Sequence, residues 1–344
     1  MHIIDLRSDT ITHPTMEMRQ DMSCAEVGDD VFGEDPTVNR LEKISAELTG
    51  KETALFTPSG TMSNLIAVMV HARHGDEIIL GDRSHIFLNE GGGAAALGGV
   101  SFRTVPNRID GTIPLDSIKG AVRGKNIHWP ETKLLCLENS HNFCGGAALS
   151  IDYSIEAAET ARQHGLKVHL DGARIFNAAI AVNAPVSALC APVDSVCFCL
   201  SKGLSAPVGS ILCGSAEFIA KGRKIRKMLG GGMRQAGIIA ASGINALENM
   251  IERLAEDHCN AGLLAEGLVE IPGIEVETPF TNIVMFRLSS GWNAHDFVNH
   301  AEAVGVKFIP IDSRQVRAVT HRMVTAADIK EALVRVRKIM TDKF

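Results

Sequence analysis

Two short stretches decide how this chain folds: HLDGARIF at residues 169–176 and CLSKG at residues 199–203. Asp171 and Lys202 each end a short apolar run typical of a β-strand, and parallel strands bring such ends to one edge of a sheet. A lysine at that edge can form a Schiff base with a pyridine aldehyde, and an aspartate can keep the ring nitrogen protonated. The two stretches therefore predict an enzyme that uses pyridoxal 5'-phosphate (PLP) and acts on amino acids.

The composition is that of an ordinary globular protein. The 344 residues are 45% hydrophobic and 22% charged, and a chain of this length usually forms about two domains. The net charge of −6 and the single tyrosine argue against a nucleic-acid partner. We expect a cytoplasmic protein with no membrane partner, because no apolar run approaches ~20 residues and the start MHIIDLRSDT lacks a signal-peptide pattern. The eight cysteines are expected to be reduced.

The order of the apolar runs predicts an N-terminal arm followed by two domains. Residues 1–15 are the polar arm, and residues 16–248 alternate strands and helices, which predicts a large α/β domain with a mostly parallel sheet. Residues 249–344 follow the order β-β-α-β-β-α, which predicts a smaller α+β domain. One long helix over residues 238–270 is expected to lie across the boundary.

A phosphate site is predicted where a strand turns into a helix, in FTPSGTMSN at residues 56–64. Backbone amides at the helix N-terminus and the hydroxyls of Ser59 and Thr61 suit a phosphate, although a plain helix cap would have the same sequence. Arg234, in GGGMRQ, could also reach a phosphate, whereas the basic run at residues 221–227 is typical of a solvated helix face. The chain has no GxxxxGK[ST] motif, which argues against a P-loop nucleotide site.

Other polar residues follow neighbouring strands and should reach the same edge of the sheet. His85 follows EIIL and could stack on an aromatic cofactor or act as a general base, or it could simply bond to backbone in a loop. His141 follows the KLLCLEN strand. Arg174 could bind a substrate carboxylate through paired N–H bonds, or it could form a buried pair with an aspartate.

Metal ligation has little support in the sequence. The chain has no CxxC pair and no HExxH motif, and core packing explains why Cys197 and Cys199 face the same side of a strand. We therefore expect no metal site. A non-enzymatic metal- or nucleic-acid-binding protein, using the cysteines and the run at residues 221–227, is the alternative from a different class.

With these motifs in order, the chain resembles the low-specificity L-threonine aldolases, which are PLP enzymes of fold type I, the aspartate-aminotransferase-like fold. The likeness covers nearly the whole chain, and several motifs in one order are far more specific than any single motif. In chain order they are DLRSDT, GDDVFGEDPT, PSGTMSN, DRSHIF, LEN-x-HN, HLDGARIFNA, CLSKGLSAPVGS, RKMLGGGMRQAG and VRAVTH.

The resemblance implies a role for each matching residue. Lys202 would form the Schiff base, Asp171 would pair with the pyridine nitrogen, and His85 would stack on the ring. The residues that would hold the phosphate are Ser59, Gly60, Thr61, Ser201 and Arg234. The residues that would bind the substrate carboxylate are Ser8, Arg174 and Arg317. His141 would lie with His85 near the substrate β-hydroxyl, and the sequence leaves open which of the two is the base.

The reaction that the resemblance implies is reversible cleavage of L-3-hydroxy-α-amino acids, with threonine giving glycine and acetaldehyde. It also implies a homotetramer built from dimers, with each active site at a subunit boundary. Two departures from the family pattern are Phe32, where tyrosine is common, and the segment FCGGAALSID at residues 143–152, which could reshape the substrate entrance. The alternatives on the same fold are a β-eliminating lyase, an aminotransferase or a phenylserine-preferring aldolase.

Overall fold

The computed structural model describes residues 2–289 and 291–341. The strands of these residues, β1 to β13 in chain order, are Ile4–Asp5, Thr53–Thr57, Glu77–Gly81, Ser101–Val105, Thr132–Glu138, Lys167–Asp171, Ser195–Cys199, Ser210–Gly214, Ile274–Val276, Ile283–Leu288, Val306–Lys307, Ile309–Pro310 and Gln315–Val319. Their α-helices, α1 to α14, are Met16–Cys24, Pro36–Thr49, Gly60–His71, His85–Leu88, Gly93–Ala96, Leu115–Ala121, Ile151–Gln163, Ile175–Ala181, Val186–Cys190, Ala216–Met228, Gly237–Asn249, Leu254–Val269, Ala294–Ala303 and Ala326–Thr341.

A seven-stranded sheet forms the centre of the large domain, in the order β2-β8-β7-β6-β5-β3-β4. Strands β3 to β7 pair in parallel, whereas β8 runs antiparallel to both of its neighbours. Every residue of β3, β7 and β8 is buried, as expected for strands covered by helices on both faces. The prediction of an α/β fold with a mostly parallel sheet is confirmed.

Local signals set the ends of the helix that precedes β2. Helix α2 begins where the Asp35 carboxylate accepts the amides of Thr37 and Val38, and Pro36 occupies the first turn, where its missing N–H costs nothing. It ends at Gly50, whose φ of 65° is a left-handed conformation that a side chain would disfavour. Gly50 therefore closes this helix.

The small domain has its own four-stranded antiparallel sheet, in the order β12-β13-β10-β9, and its own apolar core. The segment VKFIP divides into two short strands, because Val306–Lys307 pairs with β1 whereas Ile309–Pro310 pairs with β13. Ile4 and Leu6 are buried in this same core. The N-terminal arm is therefore anchored on the small domain.

The predicted single helix over residues 238–270 is wrong, because the chain turns at residues 250–253 and forms α11 and α12 instead. Met250 and Leu254 are both buried in the core of the large domain, whereas Ala261 and Leu264 on α12 lie in the core of the small domain. One straight helix could not bury apolar faces in both cores, so the turn redirects the chain between them.

The cysteines are all free, and six of the eight are buried. Burial raises the pKa of the buried thiols Cys136, Cys190 and Cys213 well above the ordinary thiol value, so these groups are neutral and unreactive. Among the described residues, no helix has both the length and the apolar character that crossing a bilayer requires.

Candidate active site

The carboxyl ends of the adjacent parallel strands β3, β5, β6 and β7 bring the predicted residues to one edge of the sheet. Asp171 is the last residue of β6 and pairs in register with Glu138, the last residue of β5. His85 opens the helix that follows β3, and Lys202 follows β7. Residues far apart in sequence are therefore neighbours here, as the strand order requires.

Asp171 is buried and held from two sides. Its Oδ1 accepts the backbone amide of Ala173 at 3.1 Å, and its Oδ2 accepts the side-chain amide of Asn64 at 2.9 Å. Only 2% of the residue is exposed. A buried carboxylate with two fixed donors keeps one orientation, which suits an acceptor that must meet a ring nitrogen.

His85 is fixed at both its backbone and its ring. Its amide donates to Glu138 Oε2 at 2.8 Å, and its Nδ1 lies 2.9 Å from Glu90 Oε1. Burial disfavours the charged imidazole, but the hydrogen bond to Glu90 and the negative charge of Asp171 outweigh burial and raise the pKa of His85 above its ordinary value.

His141 is a buried imidazole whose ring nitrogens have no hydrogen-bond partner among the described residues. Its Nδ1 lies 3.8 Å from Glu138 Oε1, which is beyond hydrogen-bond distance. The same Glu138 carboxylate accepts the amide of Asn142 at 2.8 Å, so the turn that carries His141 is fixed. A buried ring without partners is costly unless a bound molecule supplies them.

Two buried guanidinium groups, those of Arg174 and Arg317, lie beside Asn142. Arg174 donates to both oxygens of Asp9 at 2.7 Å, and its Nη1 lies 3.5 Å from Asn142 Oδ1. Arg317 donates to the same Asn142 oxygen at 3.0 Å and to the carbonyl of Arg7 at 3.3 Å. The structure therefore places Arg174 in a buried pair with an aspartate, whereas no described carboxylate pairs with Arg317.

Arg317 is the stronger candidate for binding an anion. Burial, together with the like charge of Arg174, lowers the pKa of Arg317 to about 10, and its Nε has no hydrogen-bond partner among the described residues. A bound carboxylate would supply the missing negative charge. Ser8 follows Arg7 directly, and its hydroxyl accepts from the amide and the hydroxyl of Thr10.

Lys202 lies in the turn after β7. Its carbonyl accepts the Thr12 hydroxyl at 2.8 Å and the Ser205 amide at 2.8 Å, so the turn is tied to the N-terminal segment. Burial opposes the charged form of Asp9, but Arg174 and, less strongly, Lys202 hold the pKa of that carboxyl far below its usual range. Lys202 therefore lies near the buried pair of Asp9 and Arg174.

A candidate phosphate cradle lies at the start of α3. The Ser59 hydroxyl accepts the amide of Met62 at 3.2 Å and caps the helix. The amides of Gly60 and Thr61 have no partner among the described residues. A Cβ on Gly60 would lie 2.9 Å from the Sγ of Cys199, so only glycine leaves this approach open.

The other two predicted phosphate ligands are placed differently. Ser201 is half-buried beside Lys202. Arg234 is more than half exposed, and its Nη1 pairs with Asp29 at 3.0 Å. Its loop packs near the start of α3, since a Cβ on Gly231 would meet the sulfur of Met62. Ser201 therefore stays a candidate phosphate ligand through its place next to Lys202, whereas the Arg234 side chain is engaged with Asp29.

These residues fit PLP. Asp171, at the end of β6, offers a fixed carboxylate for a pyridine nitrogen. The start of α3, which follows β2, offers free amides for a phosphate. Lys202 follows β7, which lies between β2 and β6 in the sheet, so its amine lies between those two places. The ring nitrogens of His141 and the Nε of Arg317 are buried without partners among the described residues, so a bound amino acid could supply partners for them.

Several residues of the site were not expected from the sequence. Asn64, Glu90, Glu138 and Asp9 are all buried and join the predicted residues to one another. Three of them lie within motifs that the sequence analysis singled out, PSGTMSN, LEN-x-HN and DLRSDT. The signal that could have found them is a polar residue inside an otherwise apolar helix face or strand end.

The two departures from the family pattern occupy different places. Phe32 is 73% exposed at the end of a short 3-10 helix. The segment at residues 143–152 packs on the small domain, where the Thr281 hydroxyl donates to the carbonyl of Gly146 at 2.9 Å. Ala147 forms an isolated bridge with His141, so this segment borders the candidate base.

Comparison with known proteins identifies the family of this chain. The sequence profile of the beta-eliminating lyase family matches residues 5–290. A probable low-specificity L-threonine aldolase 2 of Arabidopsis thaliana is 48% identical over 343 residues, which cover 98% of this chain and 97% of that protein. The low specificity L-threonine aldolase of Escherichia coli strain K12 is 45% identical over 96% of this chain and 97% of its own length.

Solved structures show the same fold. A threonine aldolase of Leishmania major superposes with a TM-score of 0.84 over 98% of this chain and 99% of its own, at 18% sequence identity. A serine palmitoyltransferase of Sphingomonas wittichii superposes with a TM-score of 0.76 over 98% of this chain and 86% of its own. The expected fold type I architecture is confirmed.

Proposed function

This chain belongs to the beta-eliminating lyase family, and from that premise we propose that it is a PLP-dependent aldolase, a carbon–carbon lyase of the aldehyde-lyase kind. Its substrates are L-3-hydroxy-α-amino acids, and it cleaves L-threonine or L-allo-threonine reversibly to glycine and acetaldehyde. The 45–48% identity to low-specificity L-threonine aldolases over nearly the full length supports this proposal.

One observation carries the proposal: Arg317, which has no carboxylate partner among the described residues, bonds to Asn142, and the preceding residue His141 has buried ring nitrogens without partners. Arg317 donates to the side-chain oxygen of Asn142, and His141 is its neighbour in the chain. A 3-hydroxy-α-amino acid has a carboxylate and a hydroxyl on adjacent carbons. A cation for the former beside a base for the latter fits that substrate class.

Lys202 and Asp171 would hold PLP at its two ends, with His85 on the ring face and Ser59, Gly60, Thr61 and Ser201 around the phosphate. When bound, PLP supplies an electron sink for the pair released at Cα. Asp171 would place a fixed negative charge at the ring nitrogen, where it keeps that nitrogen protonated and so favours acceptance of the electron pair by the ring.

Arg317 binds the substrate carboxylate in this scheme, with Ser8 and the remaining donor of Arg174 beside it. Since Asp9 holds the fork of Arg174, Arg317 supplies most of the free donors. A carboxylate fixed at this point also fixes the direction of the Cα–Cβ bond.

His141 is the proposed base. Hydrogen bonding to Glu90 raises the pKa of His85, which makes a protonated His85 more common and a poorer proton acceptor. His141 has ring nitrogens without partners among the described residues, and it precedes Asn142, to which both arginines bond. It accepts the β-hydroxyl proton while the Cα–Cβ bond breaks, so the oxygen becomes the aldehyde carbonyl. A proton must then be returned to Cα, which completes glycine and leaves the imidazole neutral again.

A homotetramer built from dimers, with active sites at subunit boundaries, is part of the proposal. Three large apolar side chains on segments near Arg234, those of Phe32, Met228 and Ile238, are each at least half exposed. They support the proposal, because exposed apolar patches mark protein–protein contact sites. A cytoplasmic location is also proposed, supported by the eight free cysteines.

Product analysis tests the function. The holoenzyme is incubated with a panel of β-hydroxy amino acids, including threonine, allo-threonine and phenylserine, and glycine and aldehyde are measured. Equal amounts of glycine and aldehyde are expected. Ammonia with a keto acid would instead show a β-eliminating lyase, the second candidate that the matching family favours.

A further inference from the structure

A line of hydrogen-bonded side chains leads away from Asp171 to the carboxyl end of α3. The Asn64 side-chain amide donates to Asp171 Oδ2 at 2.9 Å, and its oxygen lies 3.0 Å from His169 Nε2. His169 Nδ1 lies 2.9 Å from the hydroxyl of Ser195, which is 2.8 Å from Nε2 of His71. The proposed reaction uses none of these three outer residues.

The Asn64 side chain can adopt only one orientation. Its nitrogen lies 2.9 Å from Asp171 Oδ2 and 2.7 Å from Glu90 Oε1, so a flipped amide would place an oxygen against two carboxylates. Its oxygen, on the other side, lies 3.0 Å from the thiol of Cys197, which is a donor. The Asn64 oxygen therefore faces donors only.

The two histidines of the line are neutral. Burial lowers the pKa of His169 to about 4 and the pKa of His71 to about 3. A neutral imidazole carries one proton, and its hydrogen bonds decide which nitrogen holds it.

The direction of every hydrogen bond in the line then follows. The Asn64 oxygen can only accept, so His169 carries its proton on Nε2 and accepts at Nδ1. The Ser195 hydroxyl must donate to that Nδ1, and its oxygen accepts the Nε2 proton of His71. All four donors point toward Asp171, and aligned hydrogen bonds of this kind polarise one another.

We propose that His169 is a positioning residue, which acts through Asn64 to hold the Asp171 carboxylate in the orientation that meets the cofactor ring. The same Asn64 nitrogen also bonds Glu90, the partner of His85, so one amide orients both the edge and the face contacts of the ring. The inference rests on the proposed function, because it takes Asp171 as the partner of the pyridine nitrogen.

Core packing alone does not explain these residues. His169 and Ser195 are cross-strand partners in register on β6 and β7, and both are completely buried. Three of their four chain neighbours, Val168, Leu170 and Val196, are apolar and buried, and the fourth is Asp194. Burying polar side chains costs free energy unless every donor and acceptor is hydrogen-bonded. A pair of apolar side chains would fill the same space and would need no hydrogen bonds.

Three variants separate positioning from packing. His169→Phe fills the space without a donor, His169→Gln keeps an N–H donor, and Val168→Ala loosens the other face of the same strand. For each protein, apoprotein is titrated with PLP to give Kd, the absorption spectrum of the bound cofactor is recorded, and kcat and KM for threonine are measured.

The expected result is a loss of about tenfold in PLP affinity and in kcat for His169→Phe, with KM nearly unchanged, since one hydrogen bond to a buried polar group is lost. His169→Gln should stay within about threefold of the wild type. Val168→Ala should lower Tm and leave Kd and the spectrum unchanged. A His169→Phe protein that matches Val168→Ala in Kd, spectrum and kcat would overturn the inference.

A second measurement needs no variant and no cofactor. In ¹⁵N-histidine-labelled wild-type apoprotein, the shifts of His169 should show a protonated Nε2 and a bare Nδ1 from about pH 6 to 9; a proton on Nδ1 would contradict the derived direction. If the wild type binds no PLP or releases no aldehyde, the proposed function fails instead. The two failures are therefore distinguishable.

Discussion

The Asp9 carboxylate clamps Arg174 with two hydrogen bonds of 2.7 Å each, to Nε and to Nη2. Asp9 lies in the N-terminal segment, and Arg174 follows the strand that carries Asp171. Both side chains are buried, so the pair ties the N-terminal segment to the active-site edge of the large domain. It also leaves Arg317 as the guanidinium with free donors.

Breaking this pair should destabilise the protein. Asp9→Ala leaves a buried guanidinium without its partner and is expected to lower the free energy of unfolding by about 3–5 kcal/mol. Chemical denaturation at neutral pH measures it. A loss below about 1 kcal/mol would mean that the pair contributes little.

The same pair gives a pH dependence. The folded-state pKa of Asp9 is depressed, so its stabilising contribution is complete above the unfolded-state pKa of about 4 and is lost as the pH falls through the folded-state value. The difference in Tm between the wild type and Asp9→Asn should therefore shrink as the pH falls below about 4. A difference that grows on acidification would contradict this assignment.

Arg317→Gln should weaken substrate binding. Losing a charged hydrogen-bonding group worth about 1.5–3 kcal/mol predicts a fall in kcat/KM of about 10- to 100-fold, mainly through KM. Arg287→Gln, an exposed arginine on the neighbouring strand β10, is the matched control and should behave as the wild type. Steady-state kinetics with threonine measures kcat and KM for both variants. An unchanged KM in Arg317→Gln would show that Arg317 does not bind the substrate carboxylate.

His141→Asn should lower kcat by about 10²- to 10⁴-fold with little change in KM, because a general base is lost while the carboxylate site remains. His85→Asn should instead weaken PLP binding. Kinetics combined with PLP titration of the apoproteins distinguishes the two roles. The assignment of the base reverses if His85→Asn loses kcat and His141→Asn does not.

Gly60→Ala should impair the phosphate cradle. The new Cβ would lie 2.9 Å from Cys199 Sγ, and overpacking of about 1–3 kcal/mol predicts that Kd for PLP rises about tenfold. Gly120→Ala, in a helix with open space around the new Cβ, is the control and should be neutral or stabilising. The double variant Gly60→Ala/Cys199→Ala should recover part of the affinity; no recovery would show that the contact with Cys199 is not the cause.

The residues at the strand ends could be predicted because topology alone gathers them. Asp171, His85 and Lys202 each follow an apolar run, and a parallel sheet has one edge where such residues meet. Their partners could not be predicted, since Asn64 reaches Asp171 across 107 positions and Asp9 reaches Arg174 across 165. Contacts of that range depend on how helices and arms pack, which local patterns do not encode.

Two further segments show where local sequence patterns fail to predict the fold. Apolar periodicity runs unbroken through residues 238–270, but two separate cores compete for the segment and the chain turns at residues 250–253. Likewise, VKFIP has the pattern of one strand, and its halves pair with β1 and β13 because the N-terminal arm supplies an additional partner. In both segments tertiary packing overrides the local pattern.

The account depends most directly on the amine of Lys202. Purified holoenzyme is treated with borohydride, which fixes any imine as a stable secondary amine, and the digested protein is analysed by mass spectrometry. The result predicted is one reduced PLP adduct per chain, on the peptide that contains Lys202, with turnover abolished. An adduct on a different lysine, or full activity in a Lys202→Ala variant, would contradict the central claim.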